Sequence, residues 1–283
     1  MNRTRLLRKA QTGLSLVELM VGLALGLVLM VGVLQVFLAS RQTYASNEAM
    51  SRLQENGRFA LELIAANIRL AGYTDPRARL EKGLSIAPIA EPDCDNQTGF
   101  AGTNATACSS NGNGSASDSL GIALQPPLAE GIRRDCLGND VDDDKVIINH
   151  FEIIPPDNVN NTPAALGCRA WNITDGEWVG NVSAAQPLVE GIDSLQVLYG
   201  IDDAGGTSRS PTRYVSADNV PDWNDVLAIR IAVLANSVST LTPAPQNRNY
   251  VLLDADPLAA DDLGNDNRAR QIFSTTIQLK NTN

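Results

Sequence analysis

Histidine is nearly absent: His150 is the single one in 283 residues. No Ser-His-Asp arrangement can be built around it without inventing partners. Its place beside Phe151, in an apolar run, suits a hydrogen-bonded strand residue better than a catalytic base. Cysteine is scarce as well. Cys94, Cys108, Cys136 and Cys168 are the four in the chain, and none stands in a CxxC pair, so zinc and redox chemistry lack their usual spacing and ligands. No Gly-rich loop followed by Lys and Ser or Thr is there to cradle a phosphate. Basic residues are outnumbered, 22 Lys and Arg against 32 Asp and Glu. Neutralising a nucleic acid needs clustered cations, so nucleic acid is not expected as a partner. These absences argue against an enzyme.

Acidic loops offer the remaining chemistry. Asp140-Val141-Asp142-Asp143-Asp144 opens like a calcium loop, but Lys145 stands where Gly is needed and Phe151 where a bidentate Glu is needed. No cofactor is expected. An irregular calcium site here, or near Asp254, Asp256, Asp261 and Asp262, is the one opening left, and a solvated acidic loop is the default.

The charge is unevenly placed. Residues 1–13 carry Arg3, Arg5, Arg8 and Lys9 and no acid. Taking these four charges from the formal net charge of −10 leaves −14 for the rest. Behind this basic leader, Leu19 to Ser40 runs 22 positions without a charge. As a helix that is about 33 Å, close to the thickness of a bilayer core. Basic residues on its N-terminal side place that end in the cytoplasm and the body in the periplasm, where disulfides form. Four cysteines allow three pairings. The sequential one, Cys94–Cys108 and Cys136–Cys168, closes two loops that do not cross, and it is the favoured expectation.

Three readings of the N-terminus compete. A secretory signal peptide has a shorter apolar core that ends in small residues at a cleavage site, and Ser40-Arg41-Gln42 is a poor one. A plain signal anchor fits length and charge but leaves Glu18 unexplained, and a carboxylate at the start of a membrane helix is costly. The string Lys9-Ala10-Gln11-Thr12-Gly13-Leu14-Ser15-Leu16-Val17-Glu18-Leu19 resembles the class III signal of type IV prepilins, which is the third reading. The resemblance implies that a prepilin peptidase cuts between Gly13 and Leu14 on the cytoplasmic side and then methylates the new amine of Leu14. It also implies that Glu18 pairs with the amine of a neighbouring subunit during filament assembly. A buried carboxylate needs such a partner. Most pilins begin the mature chain with Phe, where this one has Leu14. Many major pilins carry a proline at the place of Gln35, and its absence argues against a bulk shaft subunit.

Helical spacing continues past the membrane-length block. Met50, Leu53, Gly57, Ala60, Ile64, Ile68 and Ala71 recur every three or four residues, an amphipathic stripe. Gly72 and Pro76 stop it. One helix from Leu14 to Ala71 would be about 87 Å long.

After Pro76 the period changes to short alternating runs split by Gly, Pro, Asn and Asp. Candidate strands are Leu84–Ile89, Ser119–Gln125, Val146–Ile154, Leu195–Ile201, Val226–Leu234 and Ile272–Lys280. Each should lay one face on a core. Long loops are expected at Thr98–Ser117, Asp202–Asp225 and Asn236–Asn249. The stretches Pro187–Gly200, Trp223–Arg230 and Phe273–Leu279, with Asp135-Cys136-Leu137-Gly138 and Gly167-Cys168-Arg169, resemble the PilW family of type IV pilus minor pilins, and more distantly the type II secretion pseudopilin J.

The resemblance implies an α+β, pilin-like fold: a long N-terminal helix, membrane half plus amphipathic half, packed on a head rich in antiparallel sheet with long loops. The segments expected are a cleaved leader 1–13, a membrane and filament-core helix 14–40, its amphipathic continuation 41–72 and a periplasmic head 73–283. The implied partners are other minor pilins, the major pilin, the prepilin peptidase and the inner-membrane assembly platform. The implied role is to prime pilus assembly near the tip. A type II secretion pseudopilin and a membrane-tethered adhesin or binding protein are the alternatives.

Overall fold

The computed structural model describes residues 13, 15–77, 80, 86–92, 105–157, 162–202, 210–246, 248–259, 261–264 and 266–281. The chain forms two compact units, Met1–Asn47 and Glu48–Asn283. Helix α1, Leu16–Leu70, contributes to both. No proline interrupts those 55 residues, so the backbone hydrogen-bond ladder has no forced break.

In the first unit α1 carries no charge from Leu19 to Ser40. Every described residue from 15 to 45 is exposed.

In the second unit one stripe of α1 is buried: Ala49, Leu53, Gly57, Ala60, Ile64, Ala65 and Ile68. This is the expected stripe with one change. Met50 is exposed, and Ala49 takes its place. At about 100° per residue, Ala49 lies about 40° around the helix from Leu53 and Met50 about 60°, so Ala49 is nearer the buried line. The helix ends where expected. Gly72 has φ 73°, and a Cβ there would come within 2.7 Å of the Asn281 carbonyl oxygen. Its N–H donates to the Ala123 carbonyl at 2.8 Å, and Asn281 Nδ2 donates to the Ala71 carbonyl at 3.0 Å. Strand and C-terminal tail thus satisfy groups that a helix end leaves open.

The strands are β1 (Ile89–Ala90), β2 (Leu120–Leu124), β3 (Arg133–Arg134), β4 (Asp140–Val141), β5 (Ile147–Ile154), β6 (Ala165–Asn172), β7 (Glu177–Trp178), β8 (Gln186–Glu190), β9 (Ile192–Ile201), β10 (Arg213–Val215), β11 (Val226–Asn236) and β12 (Arg270–Gln278). The first sheet runs β1-β2-β5-β6-β7, with β8 also paired to β6. The second runs β10-β9-β11-β12, and β3 and β4 form a small hairpin. All pairings are antiparallel. One apolar core joins the α1 stripe to both sheets, through Leu120, Ile147 and Phe151 on one side and Leu195, Ile229 and Ile277 on the other.

Four of the six expected strands are β2, β5, β11 and β12, with no end shifted by more than two residues. Leu195–Ile201 is the C-terminal part of β9. Of Leu84–Ile89, residues 84 and 85 lie outside the described residues and only Ile89 is strand. β6, β8 and β10 are not among the expected strands, although Gly167-Cys168-Arg169 and the start of Pro187–Gly200 fall in β6 and β8. Strand β9 also departs from one-face burial, because all but one of its residues are buried. Its second face and that of β11 are covered: loop 112–118 lies along β9, and Leu252 and Leu258 pack on Ala232 and Leu234.

Ile64 is fully buried in this shared core. Ile64→Ala should lower unfolding free energy by about 2–5 kcal/mol, whereas Met50→Ala should change it by less than about 0.5 kcal/mol. Denaturant titration of the detergent-solubilised protein reads both.

Candidate assembly site

The expected processing bond lies just ahead of α1. Gly13 is exposed, and Leu14 lies outside the described residues. The helix opens with the Leu19 N–H donating to the Ser15 carbonyl at 3.2 Å. Glu18 sits in its first turn and is exposed. A carboxylate there faces the positive end of the helix dipole and the free N–H groups of the first turn.

Behind Glu18 follows a wall of exposed leucine, valine and methionine from Leu19 to Leu38. By length and composition α1 can cross a membrane. So large an exposed apolar surface requires lipid or other apolar helices around it. Its polar end is marked by the Arg41 guanidinium, 4.5 Å from the centre of the Phe37 ring, and by Thr43 Oγ1, which donates to the Ala39 carbonyl at 2.9 Å.

In the head, Cys136 and Cys168 are joined by a disulfide. Cys108 is disulfide-bonded, and Cys94, its expected partner, lies outside the described residues. The Cys136–Cys168 bridge ties the β3–β4 turn to β6. Asp135 shapes that turn, its Oδ1 accepting from the N–H of Leu137 and of Asn139, each at 2.8 Å. The Cys136 N–H donates to Asn149 Oδ1 at 3.2 Å, and Asn149 Nδ2 donates to Asn67 Oδ1 on α1 at 2.8 Å. One polar chain therefore runs from helix through β5 to the disulfide.

His150 is buried on β5, with Nδ1 3.1 Å from the Ala107 carbonyl and Nε2 3.7 Å from Glu152 Oε2. His150, together with Arg169, holds the Glu152 carboxyl below its usual range, against the opposing effect of burial. The ring is a packed strand residue with its polar atoms engaged.

The acidic loops are engaged in ion pairs and turns. Arg133, itself buried, contacts Asp75 at 2.9 Å and Asp143 at 3.2 Å, and Lys145 reaches Asp175 at 2.7 Å. Asp262 Oδ2 accepts from the Ala259 N–H at 2.9 Å. Among the described residues no three His, Cys, Asp or Glu side chains converge as a metal would require.

Asp118 is a working residue of the head that no motif marks; its only trace in sequence is an acid just ahead of an apolar run. It is buried. Oδ1 accepts from the Gly112 N–H and Oδ2 from the Val197 N–H, both at 2.7 Å. It thereby fastens the strand leading into the first sheet onto β9 of the second. Burial raises its pKa to about 6, opposed by those two hydrogen bonds and aided by Asp254 and Asp218. Burial also pushes the neighbouring Tyr199 hydroxyl up.

The folded pKa of Asp118 lies above the unfolded value of 3.8. The native state therefore holds the proton more tightly, and this group's contribution to stability is present below about pH 4 and lost as pH rises to about 6. The loss amounts to about 3 kcal/mol at 1.36 kcal/mol per unit. Unfolding of the wild type relative to Asp118→Asn, measured at pH 4 and pH 7, should show a difference of that size and sign. At neutral pH the amide, with one acceptor oxygen for two N–H groups, still leaves about 1–3 kcal/mol unsatisfied.

Residues 8–34 match the family described as the prokaryotic N-terminal methylation motif. That segment contains Gly13, Leu14 and Glu18. Residues 157–281 match the family PilW, described as type IV pilus-assembly protein W, a segment that holds β6, Cys168 and the whole second sheet. Asp135–Gly138 and β1 to β5 lie outside it. Among solved structures the chain is similar to the type IV-like pilin TTHA1219 from Thermus thermophilus, at 17% identity and a TM-score of 0.42, over 82% of this chain and 98% of that one. No curated protein matches. The chain thus carries a segment similar to the N-terminal methylation motif at the start of its exposed apolar helix, and a segment similar to PilW in its sheet-bearing head.

Proposed function

We propose that this protein is a minor pilin of a type IV pilus that is incorporated near the tip and primes assembly. In this reading residues 1–13 are a leader removed by the prepilin peptidase, and Leu14 becomes the methylated first residue. Segment 14–40 anchors the subunit in the inner membrane and later lies in the filament core. Segment 41–72 carries the head, 73–283, in the periplasm and then at the cell surface. Other minor pilins, the major pilin and the inner-membrane assembly platform are its partners. It works as a structural subunit without a cofactor.

The observation that carries the reading is the overlap of three features in one stretch. The methylation motif, residues 8–34, contains an exposed carboxylate in the first turn of α1, and that turn opens a membrane-length apolar helix. Cleavage before such a helix keeps it in the mature protein. Glu18 then stands four positions beyond the new amine. Inside a bundle of apolar helices that carboxylate needs a cationic partner, and the methylated amine of an adjoining subunit has the right charge.

Mass and N-terminal sequence of the protein from cells should give a chain that begins with methylated Leu14. An intact Met1 start, unchanged by loss of the prepilin peptidase, would overturn the route. Deletion of the gene should abolish or greatly reduce surface pili, and normal piliation would overturn the role. Glu18→Ala should be processed at Gly13 as usual yet fail to restore piliation.

A further inference from the structure

The second sheet has two edges, β10 and β12. β10 is three residues long, short enough to offer little template. β12 is nine residues long, and from Gln271 to Gln278 it holds no charge and no proline, two devices that ordinarily protect an edge.

Its phase follows from one bond. The Leu279 N–H donates to the Leu227 carbonyl at 2.8 Å. Antiparallel strands turn alternate residues toward each neighbour, so Phe273, Thr275 and Ile277 address β11, and Ile272, Ser274 and Thr276 turn their N–H and C=O groups outward. Among the described residues nothing bonds those outward backbone groups.

Beside this edge lies a groove of about 460 Å³, lined by Phe273, Ser274 and Thr275 on the strand and by Arg58, Leu61, Glu62, Ala65 and Arg69 on α1. The helix residues are spaced i, i+3, i+4, i+7 and i+11, one face, with Leu61 and Ala65 as an apolar floor. Gly57 lets the ring of Phe273 lie against the helix backbone; any Cβ at that position would run into the ring. At one end Arg69 is paired with Glu62 at 2.9 Å. At the other, Arg58 has no ion-pair partner among the described residues, although the chain as a whole is strongly acidic.

We propose that β12 and the flanking face of α1 form a docking site for an extended segment of another pilus subunit, which joins the sheet as an added strand and sets a carboxylate against Arg58. Strand addition of this kind takes affinity from backbone bonds and specificity from alternate side chains. Here the alternate positions read an apolar floor and one cation. A second copy pairing β12 to β12 fits less well, because residues 271–278 contain no acid and Arg58 would stay uncompensated. The proposal rests on the pilus-subunit reading above.

The test uses the full-length protein in cells, with a photo-crosslinking amino acid at position 62 in the groove and, as control, at exposed position 177 on β7. The expected result is a crosslink from position 62 alone, mapped to an Asp- or Glu-containing peptide of another pilus subunit. Ser274→Pro removes one outward N–H and leaves the bonds to β11 intact. Arg58→Glu reverses the free charge on an exposed helix face. Each should lower crosslink yield by about tenfold or more at unchanged protein level, the factor set by about 1.4 kcal/mol. A crosslink to a second copy of this chain or to a protein outside the pilus overturns the proposal. So does no yield above the control, or an unchanged yield in Arg58→Glu. The same strains separate the two readings: loss of pili on gene deletion, with no crosslink at 62, removes the docking site alone. Normal piliation on deletion removes the pilus role itself.

Discussion

One buried stripe on α1 holds the head together. Leu53, Ala60, Ile64 and Ile68 are completely covered, and both large sheets reach them through a single continuous core. Burying a leucine or isoleucine side chain stabilises by about 1.5–3 kcal/mol, and Leu53, Ile64 and Ile68 lie in the core that the two sheets share. The stripe also mixes large and small residues. Gly57, Ala60 and Ala65 leave hollows, and Phe273 on β12 uses the one at Gly57. The position of the C-terminal strand is therefore set by a missing side chain on the helix.

The helix is fastened at its end by chain that arrives last. Gly72 and Ala71 are bonded by Ala123 and Asn281, so the helix terminus, β2 and the tail beyond β12 close on one another. β12 is anchored at its other end by Arg270, which contacts Asp193 at 2.7 Å and Asp266 at 2.8 Å. Arg270 and Asp193 are nearly enclosed, with side chains 7% and 9% exposed. An enclosed pair of this kind penalises loss of either partner heavily. It links the start of β12 to β9, the strand on the far side of β11. A strand pinned at both ends by polar contacts and in the middle by Phe273 can leave one edge open without drifting.

What the sequence discloses follows how local each feature is. The segment that resembles a methylation motif is contiguous, and its pattern lies in order and spacing, so the resemblance is legible without the fold. The amphipathic stripe and its stop at Gly72 are equally local, and only the neighbouring choice between Ala49 and Met50 depends on the fold. β5, β11 and β12 show themselves by alternation. β6 does not, because Gly167, Arg169 and Asn172 interrupt its pattern and its burial comes from β5, β8 and the disulfide. β10 is three residues inside a long polar stretch. The polar contacts that organise the head are more distant still. Asp118 and Val197 are 79 positions apart, and Asn67 and Asn149 are 82 apart. No window of sequence can bring them together.

The two halves of α1 obey opposite demands with the same backbone geometry. From Leu16 to Leu38 apolar residues cover every side, so no direction around the helix is preferred and any apolar surrounding satisfies it. From Glu48 onward only one face is apolar, so a single arrangement of strands satisfies it. A uniform surface suits exchange of lipid for neighbouring helices, since nothing specific is broken in the transfer. Glu18 is the exception in that half, one carboxylate on a surface otherwise without charge. Coulombic pairing weakens slowly with distance in a low-dielectric setting and strongly favours an opposite charge. The featureless half thus gains one specific demand, in its first turn.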